Sequence, residues 1–429
     1  MIARSEGTGS LEADAPRQSL AFVYVTTLFF IWGAVTSVND VLIPAVKEIF
    51  TLTDTQGFLT QFAFFMAYFV VSLPAAAIDS RLGSARSIIL ALGIMVVGCL
   101  LMPVATYVRS YSIVLVALFV IASGITLLQV AANPLSAVLG PPEKSHFRLV
   151  LSQAFNSLGT VIGPYLAAHT LLQGGLFESG APTEAKIVES LGRIDVAYYF
   201  IAAIIIILAV FLFTVRERIA NAAPALETQP GGIRQALGAK WASLGAAAIF
   251  LYVGAEVSIG STMVNFLEQP NILNVAAEKA GKLVSLYWLG AMVGRFFGSA
   301  LLTRIPAGRL LTVVAGVAAF LCLIVSQIQG HPAAVTAISI GLFNSIMFPV
   351  IFTLTLDRSS ASQEATSGLL CTAIVGGAFL PLVIGAVADN AGYIAAFLVP
   401  AACYLVLWVF AISAGRVRAT RETEPLVTH

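Results

Sequence analysis

The chain has 429 residues, of which 58% are hydrophobic and only 10% are Asp, Glu, Lys or Arg, against about 25% charged residues in soluble proteins. So much apolar surface exceeds what a soluble exterior can hide, which excludes an ordinary globular enzyme. Twenty-three basic residues against 22 acidic ones leave a formal charge of +1, so no bulk field attracts nucleic acid or a polyanion.

Lipid is therefore the solvent for most of the chain. There every backbone N–H and C=O has to be paired internally, and only helices or closed barrels span. Long unbroken apolar runs, rather than ten-residue alternations, select helices. Residues 1–18 are polar, with no apolar core of a signal peptide, and are expected to form an uncleaved cytoplasmic tail.

Runs of about 20 apolar residues, enough to cross a bilayer, predict twelve transmembrane helices. They fall at 19–44, 56–80, 86–106, 111–139, 147–172, 194–215, 241–267, 283–303, 309–328, 333–356, 365–389 and 392–415. Residues 216–240, containing Asn221-Ala-Ala-Pro224 and Pro230-Gly-Gly232, read as a cytoplasmic linker. The expected organisation is an all-α membrane protein with six-helix bundles at 19–215 and 241–415 and a second tail at 416–429.

Sixteen Lys and Arg residues fall on the side of the termini and six on the other, with Arg295 inside a span. The excess of positive charge places both termini in the cytoplasm. The halves also look related: Phe29 to Val38 lies on Phe250 to Ile259 at an offset of 221, and the loop Arg81 to Arg86 lies on Arg304 to Arg309 at an offset of 223. Parallel six-helix repeats are an architecture of secondary transporters.

A charge at the bilayer centre costs roughly 2.5–3.5 kcal/mol on insertion scales, and one that is present by default marks a functional site. Asp40 and Glu256 are the leading candidates. Asp40 shares one helical face with Gly33, Thr36 and Ser37, with Asn39 beside it, and Glu256 sits in the region of the second repeat equivalent to the first helix. The alternative role for each is structural, as a hydrogen bond or an ion pair, for instance with Arg295.

The fourth helix carries Thr126, Gln129, Asn133 and Ser136 on one face, and the fifth carries Gln153, Asn156, Ser157 and Thr160. Amides offer donors and acceptors without a fixed charge, as a neutral polyhydroxyl ligand requires. The competing role is glue between helices. Asn265 and Asn344 are weaker additions.

Among the aromatics Trp32, Tyr68, Tyr252, Tyr287 and Trp288, the two tryptophans are the candidates to lie against the C–H faces of a sugar. Gly290, Gly294 and Gly298 allow a close helix approach. Arg295, within that stripe, is expected to snorkel toward the cytoplasmic edge, with a gating ion pair as the alternative.

Cys99, Cys322, Cys371 and Cys403 lie in apolar runs without metal-ligand spacing and read as packing residues. Four scattered histidines and no phosphate-cradling Gly-x-x-x-x-Gly-Lys motif leave no metal site, nucleophile or ATP engine. No enzymatic activity and no cofactor are expected.

The strings Phe29-Phe-Ile-Trp-Gly-Ala-Val-Thr-Ser-Val-Asn-Asp-Val-Leu-Ile-Pro44, Gln129-Val-Ala-Ala-Asn-Pro134 and His146-Phe-Arg-Leu-Val-Leu-Ser-Gln-Ala-Phe-Asn-Ser157 resemble the fucose–proton symporter family of the major facilitator superfamily. The likeness continues through Phe250-Leu-Tyr-Val-Gly-Ala-Glu256, Gly290-Ala-Met-Val-Gly-Arg295 and Gly341-Leu-Phe-Asn344. By resemblance, the protein alternates between inward and outward openings and carries a hexose with a coupling ion. Asp40 matches the family's membrane-embedded acid of the first helix, associated with proton coupling, and Gln153 and Asn156 match cavity positions of the fifth.

The fucose pattern has Glu in its Glu-Thr-Ala-Ala-Asn-Pro motif where this chain has Gln129. A Gln binds a hydroxyl but carries no proton. The Gln form, with Gly-Ala-Glu256, is more similar to the glucose/galactose branch.

The expectation is a monomeric transporter in a bacterial-type inner membrane that imports a glucose- or galactose-type hexose by symport, with H⁺ favoured over Na⁺. Asp40 and Glu256 would couple the ion. Asn39, Gln129, Asn133, Gln153, Asn156, Trp32, Glu256, Trp288 and Asn344 would contact substrate. An exporter or antiporter, a uniporter and a transport-incompetent receptor on the same fold are the rivals.

Overall fold

The computed structural model describes residues 17–37, 50, 54–171, 184–223 and 233–417. Asn39 and Asp40 lie outside the described residues, as do most of both expected tails. The helices are α1 (Arg17–Ser37), α2 (Asp54–Leu82), α3 (Ser84–Val108), α4 (Tyr111–Val138), α5 (Ser145–Leu171), α6 (Glu184–Ala222), α7 (Ile233–Gly238) and α8 (Lys240–Glu268). They continue with α9 (Ala277–Leu301), α10 (Ala307–Val325), α11 (Gly330–Asn344), α12 (Met347–Arg358), α13 (Gln363–Thr372), α14 (Gly376–Ala396) and α15 (Leu398–Arg416).

Among the described residues, ten helical stretches are long and apolar enough to cross a membrane. The expected spans 147–172 and 283–303 correspond to α5 and α9, which are helical but more polar. The reason is legible in their side chains: α5 carries His146, Arg148, Gln153 and Asn156, and α9 carries Lys279, Lys282 and Arg295.

Two expected spans are interrupted. That at 333–356 is two helices, α11 and α12, parted at Ser345-Ile346; that at 365–389 is α13, a 3₁₀ turn at Ala373–Val375, and α14. The end of α14 is broken at Gly392, whose φ of 86° is open to glycine at no steric cost.

The chain forms two compact units, Met1–Pro142 with Phe155–Thr228 and Glu143–Ala154 with Gln229–His429. In the first, α3 packs between α4 and α6, α2 lies on α4, and α1 meets α5 at backbone distance. A Cβ on Gly159 would fall 2.1 Å from the Phe30 carbonyl oxygen, and one on Gly33 would fall 2.1 Å from that of Asn156. Without a net hydrophobic drive between helices in lipid, such close packing is what holds them together.

In the second unit α8 is the central element, against α9, α12, α14 and α15, while α9 lies along α11. All four cysteines are buried and free, in keeping with packing roles.

The α1–α5 contact sets an expected outcome. Gly159→Ala forces the two backbones apart and costs about 1–3 kcal/mol, the usual range for overpacking. It should lower the thermal midpoint in detergent, whereas Gly93→Ala, whose Cβ would meet nothing within 4 Å, should leave it unchanged.

Candidate functional site

In the first unit the face of α4 predicted from spacing is buried throughout: Thr126, Gln129, Asn133 and Ser136 are all enclosed. The hydroxyls and the amides behave differently. Thr126 Oγ1 donates back to the Ala122 carbonyl at 2.8 Å, Thr160 Oγ1 to Ser157 at 2.8 Å, Thr36 Oγ1 to Trp32 at 2.5 Å and Ser37 Oγ to Ala34 at 3.0 Å. A short side chain can reach its own helix in this way, so these hydroxyl donors are spent locally.

Amides reach further. Gln129 Nε2 donates to the Tyr68 hydroxyl of α2, and Asn156 Nδ2 donates to the Phe29 carbonyl of α1 at 3.0 Å. Asn156 is thus partly a link between helices. Gln153, three residues before it on the same face of α5, is buried and falls in the second unit. Trp32 is buried, with its ring 5.2 Å from that of Phe29.

In the second unit the polar groups gather around the break between α11 and α12. Asn344 is fully buried; its Nδ2 donates to the Tyr287 hydroxyl at 2.7 Å, and its carbonyl accepts from the Tyr252 hydroxyl at 2.9 Å. The Tyr287 hydroxyl in turn donates to the Glu256 carbonyl at 3.1 Å. Arg295 Nη2 lies 3.9 Å from Glu256 Oε1, and its Nε donates to the Ser345 carbonyl at 3.0 Å. Glu256 Oε1, Asn344 Oδ1 and the Tyr404 hydroxyl are buried without a hydrogen-bond partner. Trp288 is 42% exposed, with its ring over Gly260 and edge-on to Tyr287 at 5.0 Å. Among the described residues no three His, Cys, Asp or Glu side chains gather as metal ligands would.

The sequence profile of the Major Facilitator Superfamily matches residues 24–370. The chain belongs to this superfamily. A glucose/galactose transporter of Brucella abortus biovar 1 (strain 9-941) is 44% identical over 386 residues, covering 90% of this chain and 91% of the relative. An L-fucose-proton symporter of Escherichia coli strain K12 is 30% identical over 408 residues, covering 91% and 92%. The crystal structure of FucP, a major facilitator transporter in the outward conformation, is similar with a TM-score of 0.83 at 28% identity, over 94% of this chain and all of that one. These likenesses place the chain in the fucose–proton symporter family, on its glucose/galactose branch, among transporters rather than enzymes.

The major facilitator fold has twelve transmembrane helices in two six-helix bundles, so α5 and α9 are spans despite their polarity. Their inner polar groups are enclosed by protein: Arg148 and Gln153 of α5 are buried and the Arg295 side chain of α9 is 15% exposed, while Lys279 and Lys282 near the start of α9 are exposed.

Of the residues singled out from sequence, Gln129, Asn133, Gln153 and Trp32 are buried, and Asn344 and Glu256 belong to one hydrogen-bonded group in the second unit. Arg295 does not snorkel. Its side chain is 15% exposed and held by Ser345 and Glu256, because the glycines flanking it bring α9 directly onto α11.

Sequence reasoning favoured tryptophans and passed over the tyrosines. Tyr68, Tyr252 and Tyr287 each place a hydroxyl on a neighbouring helix. The available signal was that a buried Tyr hydroxyl needs a partner, and each of these stands level with a polar residue.

Tyr287→Phe removes an acceptor from Asn344 and a donor to Glu256. Stranded buried polar groups cost about 1–3 kcal/mol, so this variant should unfold at a lower temperature in detergent. Tyr107→Phe, at a residue 90% exposed, should match the parent.

Proposed function

We propose that the protein is a secondary active transporter that imports glucose, galactose or a related hexose by symport with a cation, H⁺ rather than Na⁺, through alternating access. It does so as a monomer in a bacterial-type inner membrane, with both termini cytoplasmic and with 216–240 linking the bundles at 19–215 and 241–415. The observation that carries this reading is the set of amides, Gln129, Asn133 and Gln153 buried and Asn156 half-buried, in a chain 44% identical to a relative named as a glucose/galactose transporter.

A hexose offers several neutral hydroxyls, each both donor and acceptor. Amides meet both demands without the desolvation cost of a charge. The Thr126 and Thr160 hydroxyls donate to carbonyls of their own helices, whereas each amide has two donors and an acceptor oxygen with which to meet a ligand. Asn39, Trp32, Trp288, Glu256 and Asn344 complete the proposed substrate set. Asp40 takes up the coupling cation, and Glu256 shares that role. Gln129, in place of an acid, withdraws the fourth helix from ion binding.

In proteoliposomes, radiolabelled glucose should accumulate uphill under an inward proton gradient. Accumulation under a sodium gradient alone would name the other ion, equilibration without accumulation would mean uniport, and substrate-linked proton movement in the opposite sense would mean antiport. Binding without translocation would support a receptor.

Asp40→Asn should abolish accumulation while counterflow exchange continues; full accumulation by this variant would remove Asp40 from coupling. Gln129→Ala should raise KM about tenfold or more, corresponding to about 1.4 kcal/mol or more, and an unchanged KM would reduce Gln129 to a contact with Tyr68.

A further inference from the structure

The break between α11 and α12 has a covalent cause. In an α-helix the carbonyl of residue 345 would accept from the N–H of residue 349, and that residue is Pro349, which has none. In a bilayer a freed carbonyl needs another donor. Arg295 Nε supplies it, donating to the Ser345 carbonyl at 3.0 Å.

Close packing makes this reach possible. A Cβ on Gly294 would fall 2.6 Å from the Leu342 carbonyl oxygen, and one on Gly298 would fall 2.2 Å from Ile346 Cγ2, so α9 lies directly on the break. The same guanidinium presents Nη2 to Glu256 Oε1 at 3.9 Å, with no hydrogen bond to that oxygen. One rigid planar group therefore touches the hinge carbonyl with one nitrogen and faces an intramembrane carboxyl with another. Two further links bind the hinge to the same helix: Tyr252 donates to the Asn344 carbonyl, and Tyr287 bridges Asn344 to the Glu256 carbonyl.

We propose that Arg295 is the positioning residue that ties the charge on Glu256 to the bend at Pro349. While Glu256 is ionised, its attraction holds the guanidinium in place and the Ser345 carbonyl stays capped. When the coupling cation neutralises Glu256, that attraction is lost and the cap loosens, which frees the span 330–358 to bend. The transport consequence rests on the function proposed above; the mechanical link does not.

The test uses the full chain in lipid nanodiscs and reads hydrogen–deuterium exchange of the 344–350 amides. Glu256→Gln, neutral and of the same shape, and Arg295→Gln should each raise exchange about fivefold. The double variant should show no more than either alone. Pro349→Ala gives residue 349 an N–H for the Ser345 carbonyl, so in that background Arg295→Gln should exchange at close to the parent rate. Unchanged exchange in Glu256→Gln, or additive effects of the two substitutions, would overturn the link.

Uptake measured on the same proteins separates positioning from mere capping. The Arg295→Gln/Pro349→Ala protein should retain counterflow but lose accumulation at least tenfold relative to Pro349→Ala. Accumulation equal to that of Pro349→Ala would leave Arg295 as a cap and overturn the positioning role. Absence of hexose uptake by the wild type would count against the function above, and the exchange data would then decide the link by themselves.

Discussion

A backbone carbonyl or N–H left unpaired in hydrocarbon has no water to turn to, and this constraint organises the whole protein. It makes the chain helical, and it calls for a substitute donor where a helix is interrupted or ends. At Pro349 the missing donor is replaced by a guanidinium from the neighbouring helix. At the C-terminal end of α12, Arg358 donates to the Ala414 and Val417 carbonyls, so the end of one helix is tied to the end of another. The cost of such devices is a charge in a low-dielectric setting, which is met only where a close helix approach lets one side chain serve several acceptors.

The same constraint shows in how far polar side chains reach. The Thr126 and Thr160 hydroxyls fold back onto carbonyls of their own helices. The amides of Gln129, Asn156 and Asn344, and the phenols of Tyr252 and Tyr287, extend to neighbouring helices. This division separates groups suited to recognising a polyhydroxyl ligand from groups that merely tolerate burial. The two units also differ in kind: the polar groups singled out on α4 and on α5 beyond Ala154, in the first, are uncharged hydroxyls and amides, whereas those around the break in the second include the Glu256–Arg295 pair.

Glycine contacts give these arrangements their precision. Where α1 meets α5, and where α9 meets α11, a single methyl group would fall within 2.1–2.6 Å of a backbone oxygen. Helices held at such distances shift together or not at all, because a packed contact of this kind has no soft intermediate position. A small change at one side chain, such as loss of charge at Glu256, is therefore delivered to an adjacent backbone rather than absorbed locally.

Sequence alone determined the class of the protein. Apolar runs located the helices, the Lys and Arg distribution predicted an orientation, and helical spacing put Gln129 with Asn133 and Gln153 with Asn156 on shared faces, because period and composition are local properties. The motifs around Trp32, Gln129 and Asn156 also carried the family resemblance. What spacing leaves open is which group a side chain meets across a helix interface. That Arg295 turns inward to Ser345 rather than outward to the membrane edge, that Tyr287 rather than Trp288 joins Asn344, and that Pro349 divides a span without ending it were decided only by tertiary structure. The physical reason is that Arg295 and Ser345 are 50 residues apart in the chain and Tyr287 and Asn344 are 57 apart, and the distances between them follow from glycine packing that no local pattern records.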